Sequence, residues 1–191
     1  MTARTGMANI ISTFRGMTNA GTADYTGGTA TYWTDDQLQD VLDKHRSDFY
    51  HREMQSVGEY STAGAVVTTR YYLGSFNVES GTAVFYIQNA EGTTLTETTD
   101  YTIDYSLGLV TFVSNTSGLD YFATYRSYDL NRAAAEVWRM KAAHYASFFN
   151  FSTHGHSIHK GELRKYALEM ADYYTQAGGA RGVDLDRSDT C

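Results

Sequence analysis

Apolar residues recur at helical spacing towards both ends of this chain and at alternate positions through its middle. In "GMANIISTFRGM", Ile10, Ile11, Phe14 and Met17 fall at i, i+1, i+4 and i+7, which predicts a short amphipathic helix. The Gly- and Thr-rich "NAGTADYTGGTATYW" after it predicts a loop or a small hairpin. A stronger helix signal follows: Thr34 with Gln37 three residues later forms a capping box, and Asp35 and Asp36 sit where the helix dipole favours negative charge. Leu38, Val41, Leu42, His45 and Phe49 then share one apolar stripe. The prediction is a helix from about Thr34 to about Gln55, with Asp40, Asp43 and Lys44 on its solvated side.

From Ser61 to Tyr128 the period changes to two. Val66, Thr68, Arg70 and Tyr72 alternate with Val67, Thr69, Tyr71 and Leu73, and "AVFYIQN" continues the pattern, so strands are expected. In "DYTIDYSLGLVTF", Tyr101, Ile103 and Tyr105 lead into a Ser106-Leu107-Gly108 turn and return through Val110 and Phe112 as a hairpin. "DYFATYRSYDL" is a further strand. Tyrosines are dense here, which suits half-buried sheet positions where the ring packs and the hydroxyl stays wet.

Helical spacing then returns. Asp129 is a plausible N-cap, and Leu130, Ala134, Val137, Trp138, Tyr145 and Phe148 continue one face. Ser157 is placed to cap a last long helix with the stripe Leu163, Tyr166, Ala167, Met170, Tyr173 and Ala177, ended by Gly178-Gly179 as a left-handed cap. The expected fold class is α+β, a helical bundle of three to four helices with an inserted antiparallel β domain. Residues 1–60 and 129–178 form the helical core, 61–128 the β insert, and 179–191 a C-terminal arm without apolar period.

Composition supports a globular chain, with 42% hydrophobic and 19% charged residues. No apolar run reaches signal-peptide length or the roughly 18 residues of a membrane span, which points to a cytosolic site of synthesis. Cys191 is the single cysteine, so neither an internal disulfide nor a thiolate metal cluster is available. Of the net charge of −7, counting Lys and Arg against Asp and Glu, residues 1–55 contribute 5 against 7, residues 56–129 contribute 2 against 8, and residues 130–191 contribute 8 against 7. The excess therefore sits in the middle segment, which would repel a phosphate backbone and argues against nucleic-acid grip.

The candidate chemistry centres on "FNFSTHGHSIHKGE", where His154, His156 and His159 lie close together beside Glu162. Zinc needs tetrahedral convergence and a second shell that fixes each ring. His154 and His156 fall in a glycine-containing connector and His159 in the first turn of a helix, where it diverges, so a polar interhelical corner is the favoured reading. No H-E-x-x-H, G-x-S-x-G or phosphate-loop pattern occurs, and no metal, cofactor or catalytic residue is assigned.

Two stretches taken together, "TYWTDDQLQDVLDKHR" and the block from "YTIDYSLGLVTF" through "YDLNRAAAEVW" and "FNFSTHGHS" to "LEMADYY", resemble the head-to-tail connector (adaptor) proteins of tailed bacteriophages. The order and spacing of the blocks over about residues 30–175 carry the resemblance; no single motif does. Phe149, Phe151, Ser152, Thr153, Gly155 and Ser157 match the family's corner, and the histidines occupy its variable polar slots. The resemblance implies a structural virion protein of the neck, assembled in the host cytoplasm. Such a protein forms a homo-oligomeric, dodecameric ring beneath the portal protein, extends the DNA channel without sequence-specific binding, and offers its lower face to stopper or tail proteins. It also implies that the C-terminal arm docks on the portal, with Val183 and Leu185 as apolar anchors and Arg181 and Arg187 paired with portal acids. The acidic β insert is expected as an outward lobe. The alternatives are a stopper or tail-completion protein, a glycan- or host-binding module on the Tyr-rich sheet, and a histidine metalloprotein.

Overall fold

The computed structural model describes residues 3–21, 25–27, 30–61, 64–146, 151–153, 156–158 and 160–179. They form a mixed α+β chain with four α-helices and two main antiparallel sheets. The chain divides into two compact units, Met1–Leu130 and Asn131–Cys191.

The first unit opens with a 3-10 turn at Thr5–Met7 and helix α1 (Ala8–Thr18), which buries Ile10, Ile11 and Phe14 as its spacing predicts. Asn19 ends α1 in the left-handed region, a conformation Asn tolerates better than most residues. A small hairpin of β1 (Tyr25–Gly27) and β2 (Ala30–Tyr32) leads to α2 (Asp35–Lys44), whose capping box is present as read: Gln37 N–H donates to Thr34 Oγ1 and Thr34 N–H to Gln37 Oε1. Leu38, Val41 and Leu42 are buried, each contributing about 1.5–3 kcal/mol of apolar transfer.

The expected helix over 34–55 stops at Lys44, and Arg46–Glu53 is strand β3 instead. Strand therefore begins inside the span assigned to the helical core. Ser47 and Asp48 are weak helix formers and Phe49 and Tyr50 favour strands, so a ladder with β9 (Tyr121–Tyr128) outweighs the helical spacing of the apolar side chains. Phe49 joins no helical stripe; its ring stacks on Tyr125 with centroids 4.8 Å apart.

A single residue, the buried Met54, separates β3 from β4 (Gln55–Tyr60), and the chain changes sheets there. One sheet has the order β3-β9-β6, with β6 at Tyr86–Asn89. The other has the order β4-β5-β8-β7, with β5 at Val66–Tyr72, β7 at Tyr101–Asp104 and β8 at Leu109–Phe112. Both sheets contribute to one core that includes Met54, Tyr71, Phe85, Ile87, Val110 and Tyr125. The expected β7–β8 hairpin is present; its turn needs glycine, because Gly108 has φ +63° and a Cβ there would collide with the Ser75 carbonyl oxygen.

In the second unit α3 (Leu130–Ala146) and α4 (Lys160–Gly179) flank a hairpin of β10 (Phe151–Thr153) and β11 (His156–Ile158). Ser157 therefore belongs to a strand, and α4 starts at Lys160 rather than at a Ser157 cap. Gly178 and Gly179 lie within the helix and not in a left-handed cap. A Cβ on Gly178 would press on Arg132 Cγ at 3.2 Å and Asn131 Cβ at 3.3 Å, so this glycine serves the close approach of α4 to α3.

Candidate functional site

In the histidine-rich corner between α3 and α4, the described residues Phe151–Thr153 and His156–Ile158 pair as strands. His156 stands opposite Thr153 in the β10–β11 ladder, while His154 and His159 lie outside the described residues. No group of three or more His, Cys, Asp or Glu suited to a metal occurs among the described residues. The arm residues Arg181, Val183, Leu185 and Arg187 also lie outside them.

The first unit brings together a constellation that the sequence conceals. Arg4 Nη1 and Nη2 donate to the two oxygens of Asp43 at 2.8 and 2.6 Å, Nε donates to Glu79 Oε1 at 2.8 Å, and Nη2 also reaches Tyr128 Oη at 2.8 Å. Tyr128 donates in turn to Glu79 Oε2 at 2.6 Å. Asp43, expected on the solvated side of its helix, is instead half-buried in this cluster. The Arg4 guanidinium beside it holds its carboxyl below the ordinary carboxylate range, against the desolvation that pushes the other way. Burial, and then the Glu79 carboxylate, raise the Tyr128 phenol well above its ordinary value. Arg46 and Arg126 complete the group, with Arg46 Nε 2.9 Å and Arg126 Nε 3.6 Å from Asp48 Oδ1, and Arg126 Nη1 3.8 Å from Glu79 Oε2. Three guanidinium groups thus face three carboxylates. The cluster is electrically closed, and what it can do chemically is clamp the segment before α1 to α2 and β9.

An open groove of about 590 Å³ runs beside it, lined in part by Asn9, Ile10, Asn77, Ile103 and Tyr105. Tyr105 and Asp104 within it are already engaged. Tyr105 Oη donates to Glu97 Oε2 at 2.7 Å, and Asp104 Oδ1 accepts from the hydroxyl and backbone N–H of Ser106 and from Leu107 N–H.

The second unit offers a surface of a different kind. One face of α4 packs on α3 through Ala167, Ala171 and the half-buried Tyr174, against Trp138 and Ala142. Arg139 Nη2 holds the pair by donating to Thr175 Oγ1 at 2.8 Å. One position round the helix, Leu163, Tyr166, Met170, Tyr173 and Ala177 repeat at intervals of three and four residues. This second stripe borders the first: Met170 packs against the α3 seam and Tyr166 meets the Trp138 ring edge-on at 5.6 Å, while Leu163 is 48%, Tyr166 52% and Tyr173 61% exposed. Glu162 and Glu169 border it, and Met140 adds a further exposed apolar side chain on α3. The sequence grouped Ala167 with the second stripe, because one broad apolar arc and two adjacent seams look alike in a linear pattern.

Comparison with family models, with curated proteins and with solved structures yields no match for this chain. No described helix is long and apolar enough to cross a membrane.

Proposed function

We propose that this chain is a head-to-tail adaptor of a tailed bacteriophage, a structural neck protein that forms a ring beneath the portal and links capsid to tail. The reading carries with it the adaptor fold, a helical bundle with an inserted antiparallel β domain, and a C-terminal portal-docking arm. The observation that carries it is the second apolar seam of α4. A helix with heptad-like spacing on two adjacent faces, one packed on α3 and one that leaves Leu163, Tyr173 and much of Tyr166 exposed, is suited to receive another helix. In a ring each copy supplies that helix to its neighbour, so the contact closes on itself.

The test is to mix purified protein with the portal of its own virus and image the complex. A ring seated on the portal is expected, lost in the double variant Leu163→Lys, Tyr173→Lys while each unit stays folded. Deleting residues 180–191 should abolish attachment to the portal without unfolding the chain. A protein that stays monomeric beside the portal at every concentration overturns the reading.

One observation favours a second reading, a stopper protein of the same neck. Strands β3 and β4 of the two main sheets lie at Arg46–Glu53 and Gln55–Tyr60, so β structure fills more of the first unit than an insert confined to 61–128 would. A stopper would bind a preformed adaptor ring and leave the bare portal unoccupied.

A further inference from the structure

We propose that the outer edge of β4 is a self-association surface, pairing antiparallel with β4 of a second copy of this chain about a two-fold axis. The argument starts from the ends of the two main sheets, which have four edge strands: β3 and β6 in one, β4 and β7 in the other. An exposed edge presents unpaired backbone groups, and folded proteins blunt such edges with charge, bulges or covering segments.

Three of the four are blunted. β3 carries Arg46, Asp48, Arg52 and Glu53, has a register break between Phe49 and Arg52, and holds His51 at φ +48°. β6 is covered by residues 93–95, since Leu95 N–H donates to Ile87 O and Asn89 N–H to Thr93 O. The chain before β7 folds over it, with Thr98 N–H donating to Tyr101 O and a bridge between Glu97 and Tyr101. β4 has a register shift against β5 between Val57 and Gly58, but the extra residue, Thr69, lies on β5. The outer strand itself runs without an inserted residue, and no segment covers it among the described residues. Its sequence "QSVGEY" contains no proline and one charge, Glu59, which is already paired with Arg70 on β5 at 2.9 Å.

The backbone directions can be assigned from the ladder. Ser61 N–H donates to Ala65 O, and Tyr60 stands opposite Val66 with Gly58 opposite Thr68. Hydrogen-bonded and non-hydrogen-bonded pairs alternate in an antiparallel ladder, so Gly58 and Tyr60 turn their backbone groups away from β5. Thr68 agrees, because its N–H and C=O bond to Asn115 and Thr116 rather than to β4. Beyond the register shift, Leu73 N–H donates to Gly108 O, so by alternation Tyr71 also turns to β8, and Ser56, which stands opposite it, turns its N–H and C=O outward. All three residues are exposed.

The occupant follows from the edge itself. Among the described edges of the two main sheets, the one unblunted strand able to meet β4 is β4 of another molecule. Two-fold antiparallel pairing is self-complementary: with Val57 on the axis, Glu59 faces Gln55 of the second copy, and with Gly58 on the axis it faces Val57. In neither register do like charges stand opposite each other. The exposed cross-strand pair Tyr60 and Val66, 82% and 61% accessible, gains apolar neighbours at the same contact.

This surface is independent of the α4 seam and does not rest on the adaptor reading. Sedimentation of the full chain over a concentration series, with amide hydrogen exchange on the same samples, tests it. The expected result is a shift from the 21.3 kDa monomer towards twice that mass, with amide protection at Ser56, Gly58 and Tyr60 that rises with concentration. Tyr60→Lys and Ser56→Pro should each abolish both signals; proline at 56 removes an outward N–H and no bond to β5. The Leu163→Lys, Tyr173→Lys variant should keep both signals, which separates this surface from the helical one. A wild-type chain that remains monomeric, an association that survives both β4 variants, or one that leaves these three amides unprotected would overturn the proposal.

Discussion

Replacing Arg4 with alanine removes a guanidinium that satisfies two carboxylates and a phenol at once, and the cost can be worked from what each partner loses. Asp43 has a side chain 27% exposed, so water replaces its lost donors at small cost. Glu79, with a side chain 2% exposed, cannot be rehydrated in place. It keeps the Tyr128 hydroxyl at 2.6 Å and Arg126 at 3.8 Å. Breaking a fully buried pair costs about 3–5 kcal/mol; the surviving donors and the partial exposure of Arg4 bring the expected loss to about 2–3 kcal/mol. With a urea m-value of about 2 kcal/mol/M, the unfolding midpoint of the first unit should fall by about 1–1.5 M at neutral pH, read by fluorescence of the buried Trp33. Arg4→Lys should fall between the two, because an ammonium cannot fork across both carboxylates and the phenol. A loss within about 0.5 kcal/mol for Arg4→Ala, the scale of an ordinary surface change, would refute the clamp.

Other outcomes follow from the same contacts. Gly6→Ala places a Cβ against the Ser80 carbonyl oxygen, so the hydrogen bonds from Ser80 N–H and Oγ to Gly6 O must break or shift; a loss of about 1–3 kcal/mol in a urea melt is expected. On the alkaline side, burial and then Glu97 and Asp100 push Tyr101 up to about 12, and Tyr105 and Tyr128 are raised in the same direction. A phenol whose folded pKa is raised stabilises the fold fully below its unfolded value near 10, and that contribution is lost as pH climbs through the folded value. Tyrosinate absorbance should therefore show these groups ionising together with unfolding; complete titration near pH 10 with the fold intact would count against it. On the acid side, the depressed Asp43 carboxyl contributes stability above its unfolded value that is lost as pH falls through the folded one, so Asp43→Asn should flatten the acid limb of a stability profile.

Local signals carried much of the fold. The Thr34–Gln37 box, the spacing in α1 and the alternation through β5, β8 and β9 each encode a neighbour a few residues away, and the structure bears them out. The β3 strand was not legible because its partner, β9, lies some seventy to eighty residues onward (Glu53 pairs with Phe122 and Arg46 with Tyr128), and nothing local favours that pairing over the helical spacing of Phe49. The Arg4 clamp was hidden for the same reason, its members being separated by 39, 75 and 124 positions. Asp43 gave one weak hint: it is one step from the buried Leu42, at the margin of the apolar stripe, where a carboxylate is as free to turn inward to an arginine as outward to water.

The α4 helix allows the two-seam argument to be tested by a pair of substitutions with opposite outcomes. Ala167 is fully buried in the seam with Trp138 and Ala142, where close approach depends on small side chains. Ala167→Leu adds three carbon atoms to a filled space and should cost about 1–3 kcal/mol in the thermal unfolding of the second unit, by forcing α3 and α4 apart. Tyr173 lies on the neighbouring stripe, and Tyr173→Lys should change that melt by no more than about 0.5 kcal/mol while weakening ring assembly on the portal. The contrast depends on Tyr173 lying clear of the α3 contact that Met170 and Tyr166 share, although the residues of the two faces interleave in sequence. If Tyr173→Lys lowered the melt as far as Ala167→Leu, the stripe would belong to the packing of the unit itself, and it could not also be the surface that receives a neighbouring copy.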